Sequence, residues 1–332
     1  MEQGILCLHY AANDLLVINF RKYLTSVKGQ NMPMQSRPTP SEPPASIQHY
    51  ENFPVASWLC PRHLRAPITA VYHFARTADD IADEGDAGPA VRLADLQAYR
   101  QDLLAASTAD TTFSPRWPHI FGPLRAAIDG HALPPQLLHD LLDAFVQDIQ
   151  KSRDGDGYAT EAELGDYCRR SANPIGRLLL HLYGVAHDTT ASSVQALDAQ
   201  ALEESDAICT ALQLINFWQD LSVDIPRGRY YLPADLVQAY GVPPADILAR
   251  KQTPNATQLI AACAASARAS MLKGASLVHK VPGRAGWELR LVVQGGLRIL
   301  DKIEALNYAT LNHRPTLKWW DVPVMVWRAI WM

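Results

Sequence analysis

Residues 70–84 read AVYHFARTADDIADE, a stretch without glycine or proline in which Asp79 and Asp83 stand four residues apart. At 3.6 residues per turn, steps of four, three and four carry Tyr72, Arg76, Asp79 and Asp83 along one stripe. Most other positions are apolar: Val71, Phe74, Ala75, Ala78, Ile81 and Ala82. A helix that is apolar on most sides has to be buried, so its acidic stripe is expected to line a cavity. Taken alone, such an aspartate pair is more often a solvated acidic face. Here residues 211–225, ALQLINFWQDLSVDI, repeat the design. Gln213, Asn216, Asp220 and Asp224 lie at offsets of zero, three, seven and eleven, among Leu212, Leu214, Ile215, Phe217, Trp218 and Val223. Pro226 stops that helix, because the residue before a proline avoids the helical region. Arg227 and Arg229 follow directly.

Two carboxylates one turn apart repel each other, and do so more strongly in a closed site than in water. A cation between them removes the conflict. Mg²⁺ favours one or two carboxylates together with phosphate oxygens and retained waters. Asp79, Asp83, Asp220 and Asp224, with Asp80 in support, are therefore the candidate Mg²⁺ ligands on two facing walls of one pocket. Carboxylates alone would repel a diphosphate at close range, so metal has to stand between them. Arg76, Arg227 and Arg229 are placed to add charge-assisted hydrogen bonds to the same oxygens.

The rest of the chain is also read as helical. Apolar residues recur at three- and four-residue spacing over 91–106, 120–129, 136–151, 256–281 and 285–311, and no strand pattern of any length occurs. The expected class is all-α. Proline and glycine inside the helical pattern of 161–184 predict a kink that would bring polar Ser171 and Asn173 against an apolar wall. RDGDG at 153–157 lacks the ligand spacing of a calcium loop and is read as a turn. Hydrophobic residues make up 48% of 332, enough for a large core, and the net charge of −4 offers no basic field to nucleic acid. Five scattered cysteines without a CxxC spacing read as reduced thiols of a cytoplasmic protein. No apolar run is long enough to span a bilayer. The Pro/Ser-rich stretch QSRPTPSEPPAS at 35–46 marks residues 1–46 as disordered or as a spurious extension, with Met32 or Met34 as alternative starts. The tail KWWDVPVMVWRAIWM is read either as a segment lying on a membrane surface or as one docked on its own domain.

These residues resemble the squalene/phytoene synthase family. The carriers are HYENFPVAS at 49–57, ARTADDIADEGD at 75–86, YCRRSANPIGRLLL at 167–180 and NFWQDLSVDIPRGRYYLP at 216–233, and the resemblance runs from about residue 49 to 314. It implies one isoprenoid-synthase helical bundle with a central cavity over 47–332. It also implies an isoprenoid diphosphate substrate, and cation stabilisation by the π faces of Tyr72 and Tyr167. His49, Asn52 and Phe53 become candidates for substrate contact, with a surface histidine and a core phenylalanine as the plainer alternatives. Within the family the likeness is to the branch that ionises presqualene diphosphate and captures the rearranged cation with water, giving hydroxysqualene. A presqualene diphosphate synthase upstream and a hydroxysqualene dehydroxylase downstream would be functional neighbours. Many relatives carry Arg where this chain has Gln219, which speaks against joining two farnesyl diphosphates here. The alternatives are a presqualene diphosphate, squalene or phytoene synthase and, outside catalysis, an assembly factor of the same fold, whose eroded acidic motifs this chain does not share.

Overall fold

The computed structural model describes residues 60–108, 113–184 and 199–332; the expected extension over 1–46 and the candidates His49, Asn52 and Phe53 lie outside them. The first acidic motif closes helix α1 (Arg65–Asp83). Pro67 sits in its first turn, where a missing N–H costs nothing. The helix ends where Glu84 turns extended, at φ −92° and ψ 152°, and Gly85 takes the left-handed φ of 76°. Helices α2 (Pro89–Ala106), α3 (Phe121–His131) and α4 (Pro135–Asp154) follow. RDGDG proves to be the end of α4, where Gly155 at φ 69° caps the helix. It is a turn, as its spacing predicts.

The expected kink is a full break. Helix α5 (Glu161–Ser171) starts with Thr160 accepting a hydrogen bond from the Glu163 N–H at 3.1 Å. Ala172, at φ −120° and ψ −47°, separates it from α6 (Asn173–Leu182), with Pro174 in the first turn. The second acidic motif closes α7 (Ala199–Asp224). Two short helices, α8 (Ala234–Ala239) and α9 (Pro244–Leu248), lead to α10 (Pro254–Gly274), α11 (Gly283–Ala305) and α12 (Val322–Ile330). Among the described residues there is no strand.

The helices bury two apolar clusters. One joins α1 to α4 around Phe74, Tyr99, Phe121, Leu138 and Leu142. Its aromatic centre is ordered by a hydrogen bond from the Tyr99 hydroxyl to the Phe74 carbonyl at 3.0 Å. The other joins α5, α7, α10 and α11 around Leu212, Phe217, Leu259, Met271, Val293 and Leu300. Helix α6 serves both: Leu178 belongs to the first cluster and Leu180 to the second. Each acidic motif thus rides on its own half, and the space between the halves is where the two meet.

Close approach of α6 and α7 rests on Gly176. A Cβ there would stand 2.6 Å from Cys209 Sγ and closer still to Ser205 Oγ. Gly176→Ala should therefore separate the two helices and destabilise the fold by about 1–3 kcal/mol, read as a lower midpoint in urea unfolding; an unchanged midpoint would mean the contact relaxes freely.

Candidate active site

Burial makes the first acidic stripe a high-energy arrangement. Asp79 is 3% exposed, and burial, reinforced by the charge of Asp83 and opposed by Arg76, pushes its pKa up to about 8. Arg76 lies 3.4 Å from Asp79 and 2.7 Å from Asp80, whose pKa burial also raises. Asp83 is met from the other half of the molecule, at 2.6 Å, by Arg229. That arginine is delivered by local backbone geometry. Pro226 ends α7 in a 3-10 turn (Ile225–Arg227), Gly228 turns back at φ 75°, and the Arg229 N–H donates to the Asp224 carbonyl at 3.1 Å. Burial opposes the guanidinium charge, but Asp83, Asp148 and Asp224 around it hold its pKa above the ordinary value. One arginine therefore ties the end of the first motif to the end of the second. Arg227, two residues earlier, is exposed and makes no ion pair among the described residues.

Along α7, Gln213, Asn216, Asp220 and Asp224 are all buried. Asp220 is gripped by Arg314, from the loop after α11, through Nε and, at 3.3 Å, Nη2. Gln219 does not enter the pocket. Its side chain is buried against that same loop and donates to the Pro315 carbonyl at 2.7 Å. The glutamine thus holds the loop that presents Arg314, and its bearing on substrate choice is indirect.

The amides of Gln213 and Asn216 and the hydroxyl of Ser171 have no hydrogen-bond partner among the described residues. The register of α5 and α6 along α7 places two of them. Tyr167 lies 6.1 Å from the Phe217 ring, and Thr210 donates to Asn173 at 3.0 Å. Ser171, between these contacts, falls level with Gln213. Asn173, expected beside Ser171 at the pocket, instead spends its carbonyl oxygen on Thr210.

Tyr167 is buried among Tyr158, Phe217 and Tyr231, and its hydroxyl donates to Asp148. Burial, offset in part by that bond, lifts the Asp148 carboxyl to about 7; the neighbouring Asp83 charge raises it too. Tyr72 is half-buried, its ring 5.4 Å from His73. Asp148 and Arg314 were not among the expected site residues. Asp148 had left a signal: it continues the i, i+4, i+7 stripe of Leu141 and Phe145, where a charge is out of place. Arg314 had none, being brought in by the fold from 94 residues away.

Beyond the acidic pocket, Ile68, Gly176, Leu179, Leu180, Ile208 and Val292 line an apolar cavity between α1, α6, α7 and α11. Ile68 precedes Asp79, and Cys209 precedes Asp220, by eleven residues each, so the cavity lies about 16 Å along both helices from the carboxylates. Phe74, on the same helix as the first acidic stripe, is stacked on Tyr99 at 5.2 Å inside the first core.

The donor set suits a hard cation. Among the described residues no three acidic, His or Cys side chains converge as a ready-made cage. The match is to an ion held by one or two carboxylates and completed by substrate oxygens and water.

The sequence profile of the squalene/phytoene synthases matches residues 47–321. The chain belongs to the squalene/phytoene synthase family. The hydroxysqualene synthase of Sinorhizobium fredii is 34% identical over 271 residues, 80% of this chain and 82% of that one. The phytoene synthase of Thermus thermophilus is 29% identical over 282 residues, 85% and 88% of the two chains. The crystal structure of a squalene synthase from Alicyclobacillus acidocaldarius superposes with a TM-score of 0.68 at 36% identity, covering 78% of this chain and 90% of that one. The protein is thus a squalene/phytoene synthase family enzyme of the all-α isoprenoid-synthase fold. Its substrate class is isoprenoid diphosphate, and enzymes of this family use a divalent metal.

Two expectations follow for this family member. Between about pH 4, the ordinary aspartate range, and about 8, folded Asp79 keeps a proton that the unfolded chain has released. Its contribution to the stability of metal-free protein is therefore present at low pH and lost as pH rises across that window. Asp79→Asn should remove this dependence, so that in EDTA the variant unfolds at a higher temperature than the parent at pH 8 but not at pH 5; parallel profiles would contradict it. Second, Arg229→Gln should lower kcat/KM by roughly a hundredfold or more, the scale of losing one charge-stabilising donor, whereas Arg227→Gln should change it little. Equal losses at both positions would refute the distinction drawn between these neighbours.

Proposed function

We propose that the chain is a hydroxysqualene synthase, using Mg²⁺ to ionise presqualene diphosphate and ending the reaction with water. The observation that carries this reading is the pair Ser171 and Gln213, polar, buried and without hydrogen-bond partners among the described residues, with Gln213 one turn from Asn216, whose amide is likewise unpartnered. A reaction that ends by capturing water needs polar atoms to orient it inside a dry pocket. The identity to a hydroxysqualene synthase over most of both chains supports the same branch.

Asp79, Asp80 and Asp83 on one wall, and Asp220 and Asp224 on the other, would hold the metal, which when bound acts as Lewis acid and template for the leaving diphosphate. The protein's own cations do the remaining electrostatic work. Arg76, Arg229 and Arg314 now neutralise carboxylates, and the same guanidiniums suit the oxygens of an incoming diphosphate. The carbon–oxygen bond breaks with its electron pair leaving on diphosphate. The apolar cavity holds the hydrocarbon and keeps bulk water from the cation. Tyr72 offers a ring face near the motif, while Tyr167 acts through its hydroxyl, holding Asp148 beside Arg229. Ser171 and Gln213 orient one water, whose oxygen forms the new bond to carbon and whose proton passes to solvent. An enzyme supplying presqualene diphosphate and a dehydroxylase consuming the alcohol would flank this step.

Incubating the full chain with Mg²⁺ and presqualene diphosphate should yield hydroxysqualene and diphosphate, with farnesyl diphosphate left unconsumed. Conversion of farnesyl diphosphate to presqualene diphosphate, squalene or phytoene would assign the chain to the condensing branch instead. In the productive case, Ser171→Ala and Gln213→Leu should lower the share of alcohol among the products; an unchanged product ratio would remove the water-orienting role.

A further inference from the structure

Asp321 is fully buried and pairs with Arg298 and Lys302 of α11, each at 2.8 Å. Met325 and Ala329 turn inward beside it. Those anchors fix which side of the C-terminal segment faces out, and it is the aromatic side. Trp319, Trp327 and Trp331 are 63%, 62% and 73% exposed, with Trp320, Val326 and Ile330 also exposed around them. Arg290 of α11 donates to the carbonyls of Ala329 and Met332, at 3.1 and 2.6 Å. It also lies over the ring of exposed Trp287 at 5.0 Å. Five of the chain's eight tryptophans therefore share this end of the molecule. Contiguous apolar surface of this kind marks a binding face, and the indole ring, apolar with one polar edge, suits the boundary between lipid and water.

The charges point to the same partner. Residues 280–332 hold eight Lys and Arg against four Asp and Glu, in a chain whose totals are 30 and 34. Near the tryptophans, Asp301 and Asp321 are outnumbered by Arg298, Lys302 and Arg328, which pair with them. Lys318 and Arg290 add to the excess. A two-fold contact between copies would set this cationic patch against itself, whereas an anionic lipid surface complements it. Among the described residues no helix is long and apolar enough to cross a membrane, so the mode available is contact in the plane of the interface.

We infer that the face formed by Trp287, Trp319, Trp320, Trp327 and Trp331 docks the enzyme on a bilayer containing anionic lipid. The site it brings to the bilayer is specific. The first turns of α11 carry Trp287 and Arg290 outward and Ala285, Glu288, Leu289 and Val292 to the apolar cavity. Docking thus sets the apolar cavity beside lipid, while the carboxylates lie about 16 Å further along α1 and α7. An apolar product then has a path out that avoids water. That last consequence rests on the proposed isoprenoid chemistry; the docking does not.

Co-sedimentation of the full chain with vesicles of phosphatidylcholine and phosphatidylglycerol should show binding that weakens with salt and falls at least tenfold on phosphatidylcholine alone. Brominated lipid should quench its tryptophan fluorescence. Replacing Trp319, Trp320, Trp327 and Trp331 with Ser should reduce binding at least tenfold while leaving the helical circular dichroism and turnover of detergent-dispersed substrate intact. Failure of the parent to bind, or equal binding by the variant, would overturn the inference. So would a dimer that depends on these tryptophans, or their protection from acrylamide in vesicle-free monomer, since another part of the chain would then cover them. Should the fourfold variant not fold, quenching of the parent by brominated lipid decides alone. Loss of catalysis with intact vesicle binding would count against the proposed function and leave the docking standing.

Discussion

The ion pair between Asp83 and Arg229 joins the two halves of the molecule at the point where their acidic motifs end. Carboxylates removed from water need counter-charges or they take up protons. Each helix meets the requirement differently. On α1, Arg76 lies within the same stripe and shares itself between Asp79 and Asp80, which leaves Asp79 with a raised pKa. On α7 the counter-charge comes from outside the helix, as Arg314 on Asp220. Arg229 spans the gap, its backbone held by one motif and its side chain by the other. Three guanidiniums thus balance the buried carboxylates of the two motifs.

Two packed cores hold that pocket open. Were α1 and α7 to share one core, their acidic stripes would collapse against each other. Instead each helix packs on its own side, and α6 straddles the division. Small residues set the close contacts at the other end: Gly176 lets α6 approach α7, and Gly274 at the end of α10 lets it reach the Glu204 carbonyl and Ile208. The break between α5 and α6 adds a second function to this packing. It places Ser171 level with Gln213 while Asn173 is used to fasten α6 to α7. Carboxylates at one end of α1 and α7 and an apolar cavity about 16 Å away follow from a single arrangement of α1, α6, α7 and α11.

Much of this could be read directly from the chain. Helical periodicity, the repeated acidic stripe, the prolines at 174 and 226 and the family likeness together specify an all-helical diphosphate site, because these features depend on spacing along one segment. Side-chain direction at isolated positions could not be read in the same way. Gln219 and Asp220 are neighbours in sequence and meet the same loop, yet Gln219 bonds its backbone at Pro315 and Asp220 its guanidinium at Arg314. Arg227 and Arg229 differ by two residues and by their whole environment.

What the sequence by itself determined is therefore the set of local elements: which segments are helices, which faces carry charge, and where the chain must turn. Only the tertiary structure decided which charges meet. Arg314 reaches Asp220 across 94 residues, Arg229 reaches Asp83 across 146, and Asp148 is drawn under Tyr167 by the packing of α4 on α5. Such pairings follow from how separate helices share buried surface, and no periodicity within one helix encodes the distance to another.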